Sequence, residues 1–221
     1  MEIRTYEDLK YWVRQPNCAV EGKPPLLIFL HGAGTRGEDM ERLKNNSFFV
    51  QTKPFENFPF LSVAPLCAQD QTWFDYMPKL KGMIRSILAA GEADPKRVYL
   101  IGNSMGGYGT WQLAMSVPEL FAAIVPVCGG GMYWNAGRLQ NVPVWAFHGG
   151  KDPTVFVEES QKMVDAVNRK GGNAKLTVYP ENKHDSWTDT FSNRAVFDWL
   201  LTHENAAAAL TDEYNNAEVY G

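Results

Sequence analysis

Short apolar runs alternate with longer amphipathic segments along most of the sequence. Six runs of strand length, each closed by a turn signal, follow one another from residue 26: LLIFL, FLSVAPL, VYLIGN, AAIVPVC, VPVWAFH and KLTVYP. Runs that stay apolar without alternation are typical of parallel strands buried on both faces of a sheet. The pattern therefore predicts six core strands.

The segments between these runs have the spacing of helices. Apolar residues recur at helical intervals over residues 84–88, before Gly91, and over residues 163–167, before Gly171 and Gly172. Glycine past the last periodic residue typically ends a helix in a left-handed cap. A last helix is predicted over about residues 189–203. The residues expected on its inner face are Phe191, Ala195, Val196, Trp199 and Leu200.

Strands that alternate with helices predict the α/β class, a mostly parallel sheet with helices on both faces. Residues 6–14 are expected to add an antiparallel edge strand, which large parallel sheets commonly carry. The 221 residues suit one domain, predicted over residues 1–205. Residues 206–221 are polar and terminal after an alanine run, so we expect a loosely ordered tail.

Charge and composition narrow the function further. A formal net charge of -4 at pH 7 is too mild to favour nucleic acid or a membrane surface as partner. The sequence contains no stretch of about eighteen apolar residues, so we do not expect membrane insertion. The first ten residues lack the apolar core of a secretory signal, which favours a cytoplasmic protein. Oligomeric state stays open.

The cysteines give no sign of a disulfide or metal site. Cys18, Cys67 and Cys128 are odd in number, widely spaced and without a CxxC pair or a nearby histidine at ligand spacing. Zinc requires three or four converging ligands, and no local segment supplies them. We expect three reduced structural cysteines, no metal and no cofactor.

The segment VYLIGNSMGG, residues 98–107, carries the strongest chemical signal. It is a strand that runs into Gly-Asn-Ser-Met-Gly and then into a helical stretch ending before Pro118. In such a nucleophile elbow the serine occupies a strained turn, and the residues two before and two after it must be small. Gly102 and Gly106 meet that requirement around Ser104. We predict that Ser104 is a nucleophile.

A serine hydroxyl needs an adjacent general base, and that base is oriented by a carboxylate. In folds with a nucleophile elbow, the triad residues follow one another along the chain in the order serine, acid, histidine. Of the four histidines, His31 and His148 precede the acid candidate, and His203 falls late in the predicted last helix. His184, in the loop ENKHDSW after the last strand, has the required order. It is the predicted base.

The acid is sought in a loop at the carboxyl edge of the sheet, where ligands bind in open α/β folds. Asp152 in HGGKDPTV follows the strand VPVWAFH directly and is the predicted acid. Asp185 is a rival because it adjoins His184 in the sequence. Side chains of adjacent residues rarely face each other, so Asp185 is expected to cap or turn its loop.

The tetrahedral intermediate of acyl transfer requires N–H donors for its oxyanion. One donor follows the nucleophile and the other lies in the loop after the first core strand. The sequence assigns these positions to the amides of Met105 and of Ala33 in HGAGTRG.

Together these segments resemble a known group of proteins. The segments LIFLHGAGTRGED, SVAPLCAQDQTWF, VYLIGNSMGGYGTW, WAFHGGKDPTV and NKHDSW are similar to small α/β-hydrolases related to dienelactone hydrolases, phospholipase/carboxylesterases and feruloyl or acetyl-xylan esterases. The resemblance covers about residues 26–203. It implies an α/β-hydrolase fold, the triad Ser104, Asp152 and His184, and esterase activity. Leu66 departs from the pattern of this group, because relatives often carry glutamine after the proline that corresponds to Pro65.

The expected substrate is a short-chain, aryl (including hydroxycinnamoyl) or carbohydrate-linked ester. The connection over residues 129–141 is about a dozen residues, too short for a cap domain over the site. An open site should be walled by loop aromatics, which suit an acyl chain, an aromatic ring or a sugar face. The aromatics predicted to bind substrate are Trp73, Phe74, Tyr108, Trp134 and Trp187. A serine peptidase and a non-catalytic ligand-binding fold are the alternatives.

Overall fold

A mixed eight-stranded sheet organises residues 1–205, the part of the chain that the computed structural model describes. The strand order is β1-β2-β4-β3-β5-β6-β7-β8, and the six strands from β3 to β8 run parallel. The strands are β1 (Glu2–Tyr6), β2 (Leu9–Arg14), β3 (Pro25–Leu30), β4 (Leu61–Pro65), β5 (Asp94–Asn103), β6 (Ala123–Val127), β7 (Val144–Gly149) and β8 (Ala174–Tyr179). Each predicted run is a strand, and the α/β class is confirmed. The predicted tail, residues 206–221, lies outside the described residues.

The N-terminal segment differs from the prediction of a single edge strand. It forms a hairpin in which β2 pairs antiparallel with β4 and β1 pairs antiparallel with β2. The turn passes through Glu7, which has a positive φ of 53°. Leu9, Trp12 and Val13 of β2 are buried, so this strand lies inside the sheet while the mostly exposed β1 forms the edge. The prediction missed β1 because its alternating polar residues give a weak strand signal.

Helices cover both faces of the sheet. They are α1 (Met40–Lys44), α2 (Ser47–Thr52), α3 (Met77–Ala89), α4 (Met105–Ser116), α5 (Glu158–Arg169), α6 (Trp187–Ser192) and α7 (Arg194–Leu201). Side chains of α3, α4 and α5 join the apolar core on one face, and those of α1, α2, α6 and α7 join the core on the other. Within residues 1–205, no helix combines the length and the apolar character needed to cross a membrane.

The predicted last helix is two helices in the structure. Asn193 separates α6 from α7 with an extended backbone, and its side-chain oxygen accepts a hydrogen bond from the amide of Ala195. Because an N-cap asparagine starts a new helix, the apolar stripe changes phase at this point. Phe197 is therefore buried, whereas Ala195, predicted on the inner face, is exposed.

The loops at the carboxyl edge of the parallel strands are short. The connection between β6 and β7 contains only a 3₁₀ helix, Tyr133–Leu139, and no cap domain is inserted there. The loops after β3, β5, β7 and β8 carry the predicted triad and oxyanion-hole residues, and parallel strands bring these loops to one edge of the sheet.

Candidate active site

Ser104 lies in the tight turn between β5 and α4. Its φ of 55° and ψ of -119° place it in a strained conformation, and its amide donates to the carbonyl of Val127 over 2.9 Å. A Cβ on Gly102 would lie 2.4 Å from the Gly106 carbonyl oxygen, and one on Gly106 would lie 1.8 Å from the Leu30 carbonyl oxygen. The close approach of strand and helix thus requires glycine at both positions.

Two short hydrogen bonds join the predicted serine, histidine and aspartate. Ser104 Oγ lies 2.8 Å from His184 Nε2, and His184 Nδ1 lies 2.7 Å from Asp152 Oδ2. The carboxylate only accepts, so Nδ1 carries the hydrogen and Nε2 is free to take the serine proton. The side chain of Asp185 is exposed and is not the partner of Nδ1. The structure therefore brings together the residues that the chain order selected.

The Asp152 carboxylate is buried and surrounded by donors. Its second oxygen, Oδ1, accepts the amides of Thr154 over 2.9 Å and of Val155 over 3.0 Å. Burial opposes ionisation of the carboxyl group, but the hydrogen bonds from His184 and from the two amides together outweigh burial and lower the pKa of Asp152. The group is therefore an anion at neutral pH and can stabilise an imidazolium at His184.

The two amides predicted to bind an oxyanion both start helical turns. Met105 is the first residue of α4, and Ala33 is the first residue of a 3₁₀ helix, Ala33–Thr35. The first N–H groups of a helix have no acceptor within it, so they are available to an anion. Ala33 and Ser104 line the same cavity. A Cβ added to Gly32 would lie 3.5 Å from Ser104 Cβ, so this loop packs directly against the nucleophile.

A buried histidine supports this loop from below. His31 Nδ1 donates to the Gly32 carbonyl over 2.8 Å, and its Nε2 accepts the Cys67 amide over 3.0 Å. The Trp73 indole N–H donates to the His31 carbonyl over 2.8 Å. Burial lowers the pKa of His31 to about 4, so the ring is neutral in this arrangement. From the sequence, His31 is considered only as a general base and is set aside because it precedes the acid candidate, so its supporting role was missed.

Two arginines bind the carbonyl side of the same loop. Arg36 Nε donates to Ala33 O over 3.1 Å, and Arg42 Nη2 donates to Gly34 O over 2.6 Å. Their positive charges therefore lie beside the loop that packs against Ser104. These contacts were not predicted. The available sequence signal is local, because both arginines follow the glycine-rich loop within a few residues in HGAGTRGEDMER.

An open cavity of about 400 Å³ lies beside Ser104. Most of its lining residues are polar or belong to residues 32–35, the segment that we call the oxyanion loop. The lining residues are Gly32, Ala33, Gly34, Thr35, Asn46, Ser47, Asn103, Ser104, Thr154, His184 and Trp187. The Trp187 ring stands edge-on to the His184 ring, with centroids 5.3 Å apart. Of the five predicted substrate-binding aromatics, Trp187 is the one that lines this cavity.

The other four aromatics lie elsewhere. Trp73 is completely buried and supports His31, so it does not line the cavity. Phe74 and Trp134 are exposed, 50% and 68% respectively, outside the cavity wall. Tyr108 is half-buried and lies near Gly130 on the first turn of α4. A position after a strand thus does not decide whether a ring faces the site.

Leu66, the departure from the resemblance, also lies outside the cavity wall. Its side chain is buried in the core on the α2 face, and its amide donates to the Lys10 carbonyl over 3.0 Å. A glutamine amide at this position would have to leave that core to reach the site.

The sequence profile of the dienelactone hydrolase family matches residues 70–215, a span that includes Ser104, Asp152 and His184. The chain belongs to the dienelactone hydrolase family. A comparison with curated protein sequences found no match at the significance required.

Solved structures similar to this dienelactone hydrolase family member include esterases. A thermostable esterase shares 31% identity with a TM-score of 0.83, over 92% of this chain and 63% of its own length. Est1E from Butyrivibrio proteoclasticus shares 16% identity (TM-score 0.69; 91% and 97% of the two chains). A ferulic acid esterase shares 14% (TM-score 0.71; 90% and 96%), a level of identity that shows the fold alone. Family and fold together support a carboxylic ester hydrolase.

One group of side chains in this family member has the composition of a metal site. Ligand atoms of Cys128, Asp152 and His184 lie within 4.8 Å of one another. The Asp152 and His184 atoms are already hydrogen-bonded to each other, and burial raises the pKa of the Cys128 thiol to about 12. A metal would have to displace the aspartate–histidine hydrogen bond and deprotonate this thiol. Asp152 and His184 are therefore arranged as members of a triad with Ser104 rather than as metal ligands with Cys128.

Proposed function

We propose that this protein is a serine hydrolase that cleaves carboxylic esters through an acyl-enzyme on Ser104. The observation that carries the proposal is the continuous chain from Ser104 Oγ through His184 to Asp152, with steps of 2.8 Å and 2.7 Å. This chain ends on a serine held in a strained turn beside an open cavity. A serine with a purely structural role does not require a hydrogen-bonded histidine and carboxylate behind its hydroxyl group.

In the acylation step, Ser104 Oγ attacks the ester carbonyl while its proton moves to His184 Nε2. The resulting imidazolium is stabilised by the ionised Asp152, which accepts its Nδ1 hydrogen. Negative charge on the carbonyl oxygen is taken by the amides of Met105 and Ala33. His184 then gives the proton to the departing alcohol, and the acyl group stays on Ser104.

Deacylation repeats these steps with water as the nucleophile. His184 Nε2 takes a proton from water, water attacks the acyl carbon, and the same two amides hold the oxyanion. The proton returns to Ser104 Oγ as the carboxylic acid leaves. Only Ser104 and His184 change protonation state in this cycle, while Asp152 stays ionised and the two amides only donate hydrogen bonds.

The cavity suits a neutral ester of modest size. Its volume of about 400 Å³ is at the small end of the range for ligand sites. Among the described residues, His184 is the one histidine, acid or base in the cavity wall, which otherwise combines small residues, mostly polar, with the Trp187 ring. Such a wall fits short-chain, aryl, hydroxycinnamoyl or carbohydrate-linked esters, and the substrate is a small molecule or a saccharide-linked ester.

A fluorophosphonate probe tests the proposal directly. Intact mass spectrometry should find one probe per folded chain, with the adduct on Ser104 after digestion. Ser104→Ala should abolish both labelling and cleavage of p-nitrophenyl acetate. Ser192→Ala is the matched control, because Ser192 is exposed and its hydroxyl donates only to the nearby Asp189 carbonyl. It should label and turn over as the wild type does.

The outcomes separate the alternatives. A folded wild-type protein that neither labels nor cleaves esters would rule out the serine-hydrolase proposal and leave a ligand-binding fold. Labelling with cleavage of peptide anilides but not of esters would favour a peptidase. A panel that varies acyl and alcohol groups independently, with methyl ferulate and acetylated xylan included, then identifies the ester class.

A further inference from the structure

A second histidine lies on the far side of the candidate acid. His148 is near the end of β7, and its side chain is completely buried. Its Nε2 lies 2.9 Å from the Val155 carbonyl oxygen and 3.4 Å from Asp152 Oδ2. Its Nδ1 lies 2.7 Å from Ser160 Oγ. The oxygen of Asp152 that receives the His184 hydrogen therefore faces a second imidazole.

The partners of His148 determine where its proton lies. The Val155 carbonyl and the ionised Asp152 can only accept hydrogen bonds, so Nε2 must carry a hydrogen. Burial lowers the pKa of His148, which keeps the ring neutral and leaves Nδ1 as an acceptor. The Ser160 hydroxyl has a single hydrogen, so with Nδ1 as an acceptor that hydrogen is shared between His148 Nδ1 and the Gly129 carbonyl oxygen, which lies 2.9 Å from Ser160 Oγ.

These contacts tie the acid loop to the element beside the nucleophile. Val155 uses its amide to bind Asp152 Oδ1 and its carbonyl to bind His148, so the loop is closed around the carboxylate. Ser160, in α5, connects His148 to Gly129. A Cβ added to Gly129 would lie 2.7 Å from backbone atoms of the first turn of α4, so this segment packs tightly on the helix that follows Ser104.

We propose that His148 is a positioning residue, whose Nε2–H holds Asp152 and its loop where Oδ2 meets the Nδ1 hydrogen of His184. This inference rests on the proposed function and adds a fourth side chain to its machinery. A carboxylate in a buried site keeps its orientation only while all its donors are in place. Without His148, the Val155 carbonyl loses its donor and Asp152 Oδ2 loses the imidazole that lies 3.4 Å from it.

Two variants of His148 distinguish the effect of its Nε2–H hydrogen bond from the effect of the volume of its imidazole ring. The amide nitrogen of His148→Gln can reach the position of Nε2, whereas that of His148→Asn reaches only as far as Nδ1. We expect His148→Asn to lower kcat/KM for p-nitrophenyl acetate about 10- to 100-fold, the range for a hydrogen bond to a charged group. The loss should fall on kcat, with KM little changed. His148→Gln should restore most of the activity.

Proton NMR gives a readout that a merely structural role would not move. The hydrogen between His184 Nδ1 and Asp152 should resonate far downfield in the wild type and in His148→Gln, and shift upfield or broaden in His148→Asn. Nitrogen-15 spectra of the wild type should show His148 as the Nε2–H tautomer, a test that needs no variant to fold.

Several results would overturn the inference. These are an Nδ1–H tautomer at His148, a folded His148→Asn protein with wild-type kcat/KM, or equal losses in the two variants with an unmoved downfield signal. Failure of the proposed function is distinct, because it would appear in the wild type as absent fluorophosphonate labelling. An active wild type with unaffected His148 variants would refute this inference alone.

Discussion

Acid should unfold this protein partly through His31, the buried histidine under the oxyanion loop. Its pKa falls from 6.5 to about 4 on folding because burial disfavours the charged ring. Each pKa unit corresponds to about 1.36 kcal/mol, so protonating His31 in the folded state costs about 3 kcal/mol more than in the unfolded chain. The ring has no solvent exposure, so solvent screening does not reduce this figure.

The sign follows from proton uptake. Between about pH 6.5 and pH 4 the unfolded chain binds a proton at His31 and the folded protein does not, so folding becomes less favourable as the pH falls. His148, whose pKa is also lowered by burial, contributes in the same direction. Asp152 contributes only at lower pH, because its pKa lies below the ordinary value of 3.8.

Comparison with His31→Gln isolates the contribution of this one ring. The glutamine oxygen can still accept the Cys67 amide but does not titrate. Urea unfolding at pH 7, 6, 5 and 4 should show the wild type losing its advantage over the variant by about 3 kcal/mol across that range. His203→Gln is the control and should give a smaller change, because His203 is only partly buried. Parallel pH profiles for wild type and His31→Gln would refute the reasoning.

Three further results are expected. Asp152→Asn should lower kcat for p-nitrophenyl acetate by about 10⁴-fold, as when a triad aspartate is replaced elsewhere, and Asp185→Asn should change it less than about threefold; the reverse would make Asp185 the acid. Gly106→Ala places a Cβ 1.8 Å from a carbonyl of β3 and should cost about 3 kcal/mol or more, so an unchanged melting temperature contradicts the elbow geometry. Trp187→Ala should raise KM for aryl esters more than Trp134→Ala does, because only Trp187 lines the cavity; equal effects would move the substrate elsewhere.

Much of the sheet could be predicted because its strands are buried on both faces. In β3 every residue is buried, so no polar position interrupts the run and its ends are visible in the sequence. In β1 only part of one face is covered, and the apolar signal is lost. The division of the last helix depends on one capping contact at Asn193, which hydrophobic periodicity cannot register.

The candidate triad was accessible to sequence reasoning for a different reason. Ser104 is constrained locally, since the approach of β5 to α4 leaves no room for side chains at two flanking positions. Asp152 and His184 lie on different loops, and only the order of strands in the sheet indicates that these loops meet. For the supporting roles of His31 and His148 there is neither a local steric requirement nor a rule of chain order. Each role depends on the direction in which the imidazole ring points from the end of its strand.

Trp73 and Trp187 show why side-chain direction decides the composition of the site. Both are aromatic residues in loops or helix starts after a parallel strand, and sequence position alone treats them alike. The indole N–H of Trp73 donates a hydrogen bond to the His31 carbonyl, and this contact holds the buried ring against the backbone of the oxyanion loop. Trp187 begins α6 two residues after Asp185, where the ring meets the imidazole edge at 5.3 Å and stays on the cavity wall. One ring therefore acts through the backbone of the loop, and the other lies on the wall of the cavity that Ser104 also lines.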